Sequence, residues 1–201
     1  MKILGLTGQF CVGKSTVARM FSGLGAKIID ADKIGHKALL DKDIKRKLIN
    51  YFGKDIISVS GNLDRKKLAG KAFLNKKNHN QLCRIVHPWL VNYIKDEIRK
   101  IKSRNPEAVV IIDAAVLVEM GLLNTVDKLI LVKADYPKQA KRARVKWSLS
   151  GKDFQKRIKL QIPLSRLIKK ADFIIDNNGD LQKTKEQVKK VWSKLVPRRI
   201  L

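Results

Sequence analysis

The chain has little of what disulfide frameworks, metal clusters and membrane spans require. Its only cysteines are Cys11 and Cys83. Two cysteines do not make a disulfide framework, and with no C-x-x-C or His-rich spacing nothing points to structural zinc. No apolar run approaches the roughly 18–20 residues of a membrane helix. The opening MKILGLTG also lacks the apolar core and small-residue cleavage site of a signal peptide, so a soluble cytoplasmic protein with no membrane partner is expected. Aromatic residues make up 6% and none recur through the basic runs, which argues against a base-stacking surface for single strands. Acidic residues are scarce as well, 18 against 44 Lys and Arg, for a net charge of +26. Such a surplus attracts polyanions, ATP as much as nucleic acid. Weak nonspecific nucleic-acid binding at low salt is expected, and specific binding is not.

What is present reads as an α/β chain. Residues 2–7 form a short apolar run ending at glycine, and residues 14–24 follow with Val17, Met20, Phe21 and Leu24 at helical spacing. After Gly25, residues 27–30 read as a second strand. Strand, glycine loop, helix and strand make a βαβ unit, and hence a parallel sheet. The stretch from Ala31 to about Lys102 is helical in pattern and rich in Lys and Arg, interrupted at Val59-Ser60-Gly61-Asn62. Residues 108–113 (AVVIID) are the strongest strand signal, 128–133 another, and 172–175 a fifth. Residues 138–170 carry twelve Lys and Arg against one acid, Asp153, so they are either a solvated helical face or a basic flap over phosphates. A terminal helix at 181–195 precedes Pro197.

Gly8-Gln9-Phe10-Cys11-Val12-Gly13-Lys14-Ser15 matches G-x-x-x-x-G-K-[ST] at every fixed position. The motif lies between a predicted strand and a predicted helix, the context it needs. Glycines at 8 and 13 free the backbone to turn its N–H groups inward, and the helix start adds its positive end. Residues 8–16, among them Cys11, Val12 and Thr16, are therefore the expected ATP-binding loop. Lys14 would reach the β- and γ-phosphates, and Ser15 would ligate Mg²⁺.

A guanine-reading N-K-x-D is missing, since Asn75-Lys76-Lys77-Asn78 lacks its Asp, which argues against a GTPase. The second strand ends in Asp30-Ala31-Asp32. If that strand lies beside the phosphate-loop strand, one carboxylate could accept the proton of an attacking hydroxyl and the other could hold the metal or its waters, or cap the next helix. Asp32 is assigned the base role. Asp113 closes the AVVIID run, as a metal-side carboxylate or as a turn residue. A small-molecule kinase is the reading these residues support, with a nucleoside or nucleotide kinase and a nucleic-acid-binding P-loop protein as the alternatives.

From end to end the ordered strings LTGQFCVGKSTVARMFSGLGAKIIDAD, GNLDRKKL, HPW, LVE and ADFIIDNNG resemble dephospho-coenzyme A kinases. The resemblance implies transfer of the ATP γ-phosphoryl group to the ribose 3′-hydroxyl of dephospho-coenzyme A, with Mg²⁺, at the last step of coenzyme A synthesis. It implies a single domain with a P-loop core at about 1–32, 103–135 and 171–201. A helical acceptor-binding region would span about 33–102 and a basic lid about 136–170. By the same resemblance Asp32 faces the 3′-hydroxyl, Arg65 and His87 belong to acceptor binding, Arg142 is a lid arginine reaching the phosphates, and Asn177 and Gly179 border the adenine.

The chain also departs from that family's pattern. Its Ala114–Glu119 stretch lacks the usual proline, its lid has Lys146-Trp147 where a second arginine followed by aspartate is common, and Gln9-Phe10-Cys11-Val12 replaces a loop interior rich in glycine and serine.

Overall fold

The computed structural model describes residues 1–196; Pro197 lies outside the described residues. The chain divides into two compact units, Met1–Ile29 with Lys100–Leu201, and Asp30–Arg99.

In the first unit, β1 (Lys2–Thr7) leads through the phosphate loop into α1 (Lys14–Ser22), followed by β2 (Lys27–Asp30). β3 (Val109–Asp113), β4 (Lys128–Lys133) and β5 (Phe173–Asp176) complete a parallel five-stranded sheet in the order β2-β3-β1-β4-β5. The sheet order corrects one expectation: the neighbours of β1 are β3 and β4, and β2 lies one strand further out. Burial gives the physical reason. Val110, Ile111 and Ile112 are fully buried and suit a central strand, whereas β2 has an exposed residue at Lys27 and suits an edge. Leu6 pairs with Asp113, so the carboxylate at the end of β3 stands beside the start of the phosphate loop.

Side chains of β1, β3, β4 and β5 meet α1 and α9 (Leu181–Leu195) in one core, where Leu4, Leu6, Val17, Phe21, Ile130 and Ile175 are fully buried. Between β4 and β5 the chain forms α6 (Tyr136–Trp147), α7 (Gly151–Leu160) and the short α8 (Leu164–Ile168).

The second unit is helical. α2 (Ala31–Ala38), α3 (Lys42–Phe52), α4 (Arg65–Ala72) and most of α5 (Lys76–Arg104) belong to it. Ile44, Leu48, Phe52, Ile56, Leu68 and Ala72 form its core, with Ile85, Val86 and Trp89 of α5 packed against them. Asp41 and Asp64 cap α3 and α4, each accepting two backbone N–H bonds.

Candidate active site

The loop from Gly8 to Gly13 is shaped by two close approaches. A Cβ on Gly8 would lie 2.5 Å from the Val132 carbonyl oxygen, and one on Gly13 would lie 2.1 Å from Asn177 Nδ2. Gly13 also holds φ +93°, in the left-handed region where side chains are disfavoured. Cys11 is left-handed too, at φ 64°, which costs a non-glycine residue about 1–2 kcal/mol. Gly13 is the N-cap of α1 and no side chain caps the helix, so its first N–H groups are left for an anion.

Lys14 is buried at 9% exposure and makes an ion pair with Asp113, itself 4% exposed. Ser15 is exposed in the first turn of α1. Its hydroxyl and the Asp113 carboxylate are hard oxygen donors of the kind Mg²⁺ accepts. No group of three His, Cys, Asp or Glu that could cage a metal occurs among the described residues. That donor set fits Mg²⁺, which is held by one or two protein oxygens together with phosphates and water.

Arg142 of α6 reaches the same loop. Its guanidinium donates to the carbonyls of Val12 (2.8 Å), Cys11 (3.4 Å) and Asn177 (3.1 Å). The buried Asn177 donates from Nδ2 to the Val12 carbonyl at 2.8 Å, and its Oδ1 accepts from the Thr184 hydroxyl at 3.0 Å. Asn178 exchanges two hydrogen bonds with Asp135, so the turn carrying Gly179 is tied to the start of α6. The first unit thus brings together Gly8, Cys11, Val12, Gly13, Lys14, Arg142 and Asn177.

Glu119 is half-buried in the stretch after β3. Its Oε1 accepts a long bond from Ile162 N–H at 3.5 Å, while the buried Oε2 has no partner among the described residues. Burial pushes its carboxyl above the ordinary range. The folded protein therefore holds a proton that the unfolded chain has released, and stability falls as pH rises from the ordinary value to the raised one. Glu119→Gln is expected to abolish that fall and to add about 1 kcal/mol near neutral pH. Urea unfolding midpoints across the acid-to-neutral range measure it.

In the second unit the two aspartates of the D-A-D string separate. The Asp30 carboxylate caps α2, accepting from Lys33 N–H at 3.0 Å, and lies 3.7 Å from Lys33 Nζ. Asp32 is exposed in the first turn of α2, and no hydrogen bond or ion pair among the described residues engages it. Arg65 opens α4 and, with His36, Leu39, Lys45 and Leu63, lines a cleft of about 230 Å³. His87 is half-buried in the middle of α5, one residue before Pro88. Burial lowers its pKa, and the nearby His79 lowers it further.

Gln161 and Arg157, which contact the loop, and Thr184, which holds Asn177, are the residues that sequence reasoning missed. Gln161 Oε1 accepts from Phe10 N–H at 2.8 Å, and the Arg157 guanidinium lies 5.4 Å from the Phe10 ring centroid. Arg157 was legible only as one charge in a basic run.

A parallel sheet of this order, a phosphate loop after β1 and a buried lysine at the start of α1 define a P-loop kinase fold. A shikimate kinase from Acinetobacter baumannii shares it, with TM-score 0.55 at 14% identity over 100% of this chain and 96% of that one. The family model for dephospho-CoA kinase matches residues 2–183. A dephospho-CoA kinase of Aquifex aeolicus is 41% identical over 97% of this chain and 98% of its own. One from Fusobacterium nucleatum is 36% identical over 90% and 91%. The solved dephospho-CoA kinase of Campylobacter jejuni superposes with TM-score 0.69, at 27% identity over 97% and 98% of the two chains. The chain belongs to the dephospho-CoA kinase family, whose members catalyse the final step of coenzyme A biosynthesis.

Proposed function

We propose that this chain transfers the γ-phosphoryl group of ATP to the ribose 3′-hydroxyl of dephospho-coenzyme A in the cytoplasm. The observation that carries the proposal is the phosphate loop with buried Lys14 in a chain matched by the family over residues 2–183. No helix among the described residues is long and apolar enough to cross a membrane.

In this reading the loop amides, the uncapped start of α1 and Lys14 bind the phosphates and stabilise charge on the transferring group. Ser15 would hold Mg²⁺, with Asp113 on the metal side once Lys14 turns to phosphate; the bound ion would neutralise phosphate charge. Arg142 lies on the loop carbonyls and adds its charge from α6. Asn177 and Gly179 border the nucleotide, and Arg65 and His87 bind the acceptor. Asp32 takes the proton of the 3′-hydroxyl, a role supported by its exposure and by the absence of competing bonds among the described residues. The basic segment 136–170 excludes water when substrates are bound.

A coupled assay with ATP and dephospho-coenzyme A is expected to give a product carrying a 3′-phosphate. Nucleosides and nucleoside monophosphates are expected to give little turnover. Turnover with a nucleoside and none with dephospho-coenzyme A would overturn the acceptor assignment.

A further inference from the structure

Glu119, the last residue of the LVE string, has no part in the phosphoryl transfer proposed above, yet its Oε2 is buried without a hydrogen-bond partner among the described residues. Burying a carboxyl costs free energy that an apolar side chain of similar size does not. The oxygen that has a partner is Oε1, which accepts the Ile162 N–H at 3.5 Å.

Ile162 lies in the joint between α7 and α8. Gln161 there is extended, with φ −87° and ψ 163°, and Pro163 biases Ile162 toward extended backbone as well. Backbone groups in such a joint have no helix to join, and Ile162 sends both of its own to distant parts of the chain. Its N–H goes to Glu119, and its carbonyl accepts from Gln9 Nε2 at 3.3 Å. One residue earlier, the Gln161 carboxamide oxygen accepts the Phe10 N–H at 2.8 Å. The joint is thus tied to the segment after β3 on one side and to the first half of the phosphate loop on the other.

The loop needs such a hold. Cys11 keeps φ 64°, a conformation that glycine adopts freely and a cysteine does not. A left-handed cysteine persists only where its surroundings fix it. On its C-terminal side, Arg142 and Asn177 hold the Cys11 and Val12 carbonyls. On its N-terminal side, the two bonds from the joint hold Gln9 and Phe10. Neither of those two bonds occupies the uncapped start of α1, which stays open to an anion.

We propose that Glu119 is a positioning residue for nucleotide binding: through Ile162 it fixes the joint between α7 and α8, and the joint clamps Gln9 and Phe10 so that the phosphate loop keeps its anion-binding shape. The proposal rests on the reading of the loop as an ATP site. It does not depend on the identity of the acceptor.

Two measurements on the full chain test it: calorimetry with Mg·ADP, and alkylation of Cys11 by iodoacetamide with Cys83 of α5 as the internal control. Glu119→Met removes the acceptor and keeps the bulk. It is expected to weaken Mg·ADP about fivefold and to speed Cys11 labelling about threefold or more, the size of one lost hydrogen bond, with Cys83 unchanged. Glu119→Gln keeps an oxygen for the Ile162 N–H and should stay within about twofold of the wild type on both readouts. Gln161→Ala cuts the joint from Phe10 and should reproduce the Met result, which covers the case of a Met variant that does not fold. A merely structural role would loosen the whole chain and label both cysteines faster. That outcome, a Gln variant as impaired as the Met variant, or wild-type affinity and Cys11 labelling in Glu119→Met overturns the proposal. A wild-type chain that binds no Mg·ADP refutes the ATP site itself, while the labelling comparison still decides the clamp.

Discussion

Lys14→Met is expected to lower phosphoryl transfer by about 10³-fold and, in the same variant, to destabilise the fold by about 3 kcal/mol. Both effects come from one ammonium group. It is 9% exposed and paired with Asp113, 4% exposed at the end of β3. Removing the lysine leaves a carboxylate in the interior with its positive partner gone, and such truncations cost far more than a surface ion pair contributes. In the proposed mechanism, removing it also takes the flexible point charge away from the β- and γ-phosphates. Lys14→Met combined with Asp113→Asn separates the two effects, because it neutralises the stranded carboxylate. The double variant is expected to recover most of the unfolding free energy in urea and none of the turnover. Recovery of turnover with stability would show that the lysine acts only through the fold.

The phosphate loop was the most legible part of the sequence, because its requirements are local. Gly8 and Gly13 stand at fixed positions of a short motif, although the Val132 carbonyl and the Asn177 side chain that crowd them come from far along the chain, and the strand–loop–helix pattern around them follows from hydrophobic periodicity. The buried strands were legible for the same reason, with ends displaced by a residue: β5 begins at Phe173, not at residue 172. Strand order was harder to read. Adjacency of β2 and β1 was a natural expectation from chain order, but β3 returns after the helical stretch and lies between them. The signal was still present in AVVIID, the run most uniformly apolar and therefore best suited to a strand with neighbours on both sides. Thr184 had no comparable signal. It is a polar residue in a helix of mixed pattern, and its meaning arises only when α9 packs beside β5 and brings its hydroxyl to Asn177. Phe10 and Gln161 are separated by 151 residues, so neither could be read from the sequence around the other.

Asp32→Asn is expected to cut turnover by about 10²- to 10⁴-fold, the range that loss of a general base produces, with nucleotide binding changed by less than about twofold. The comparison that gives this force is Asp30. Asp30 ends β2 and Asp32 follows two residues later in α2, and chain position alone leaves either one as the base. Asp30 is committed to the helix: it accepts Lys33 N–H at 3.0 Å and lies within ion-pair distance of the Lys33 side chain. Asp30→Ala should therefore cost about 1 kcal/mol of stability, the typical value of an N-cap, and spare most of the turnover. Asp30→Asn should cost less than the alanine variant, since asparagine caps as well as aspartate. Asp32 is exposed in the first turn of α2, where its loss is expected to change little in the folded protein and, in the proposed mechanism, to remove the acceptor for a hydroxyl proton. Amide replacement keeps its size and hydrogen-bonding reach while taking away its basicity, so a surviving rate would come from positioning alone. Single-turnover transfer and nucleotide affinity, measured on all three variants, separate capping from catalysis. An Asp32→Asn enzyme with wild-type turnover, or an Asp30→Ala enzyme that loses as much turnover as Asp32→Asn, would reverse the assignment.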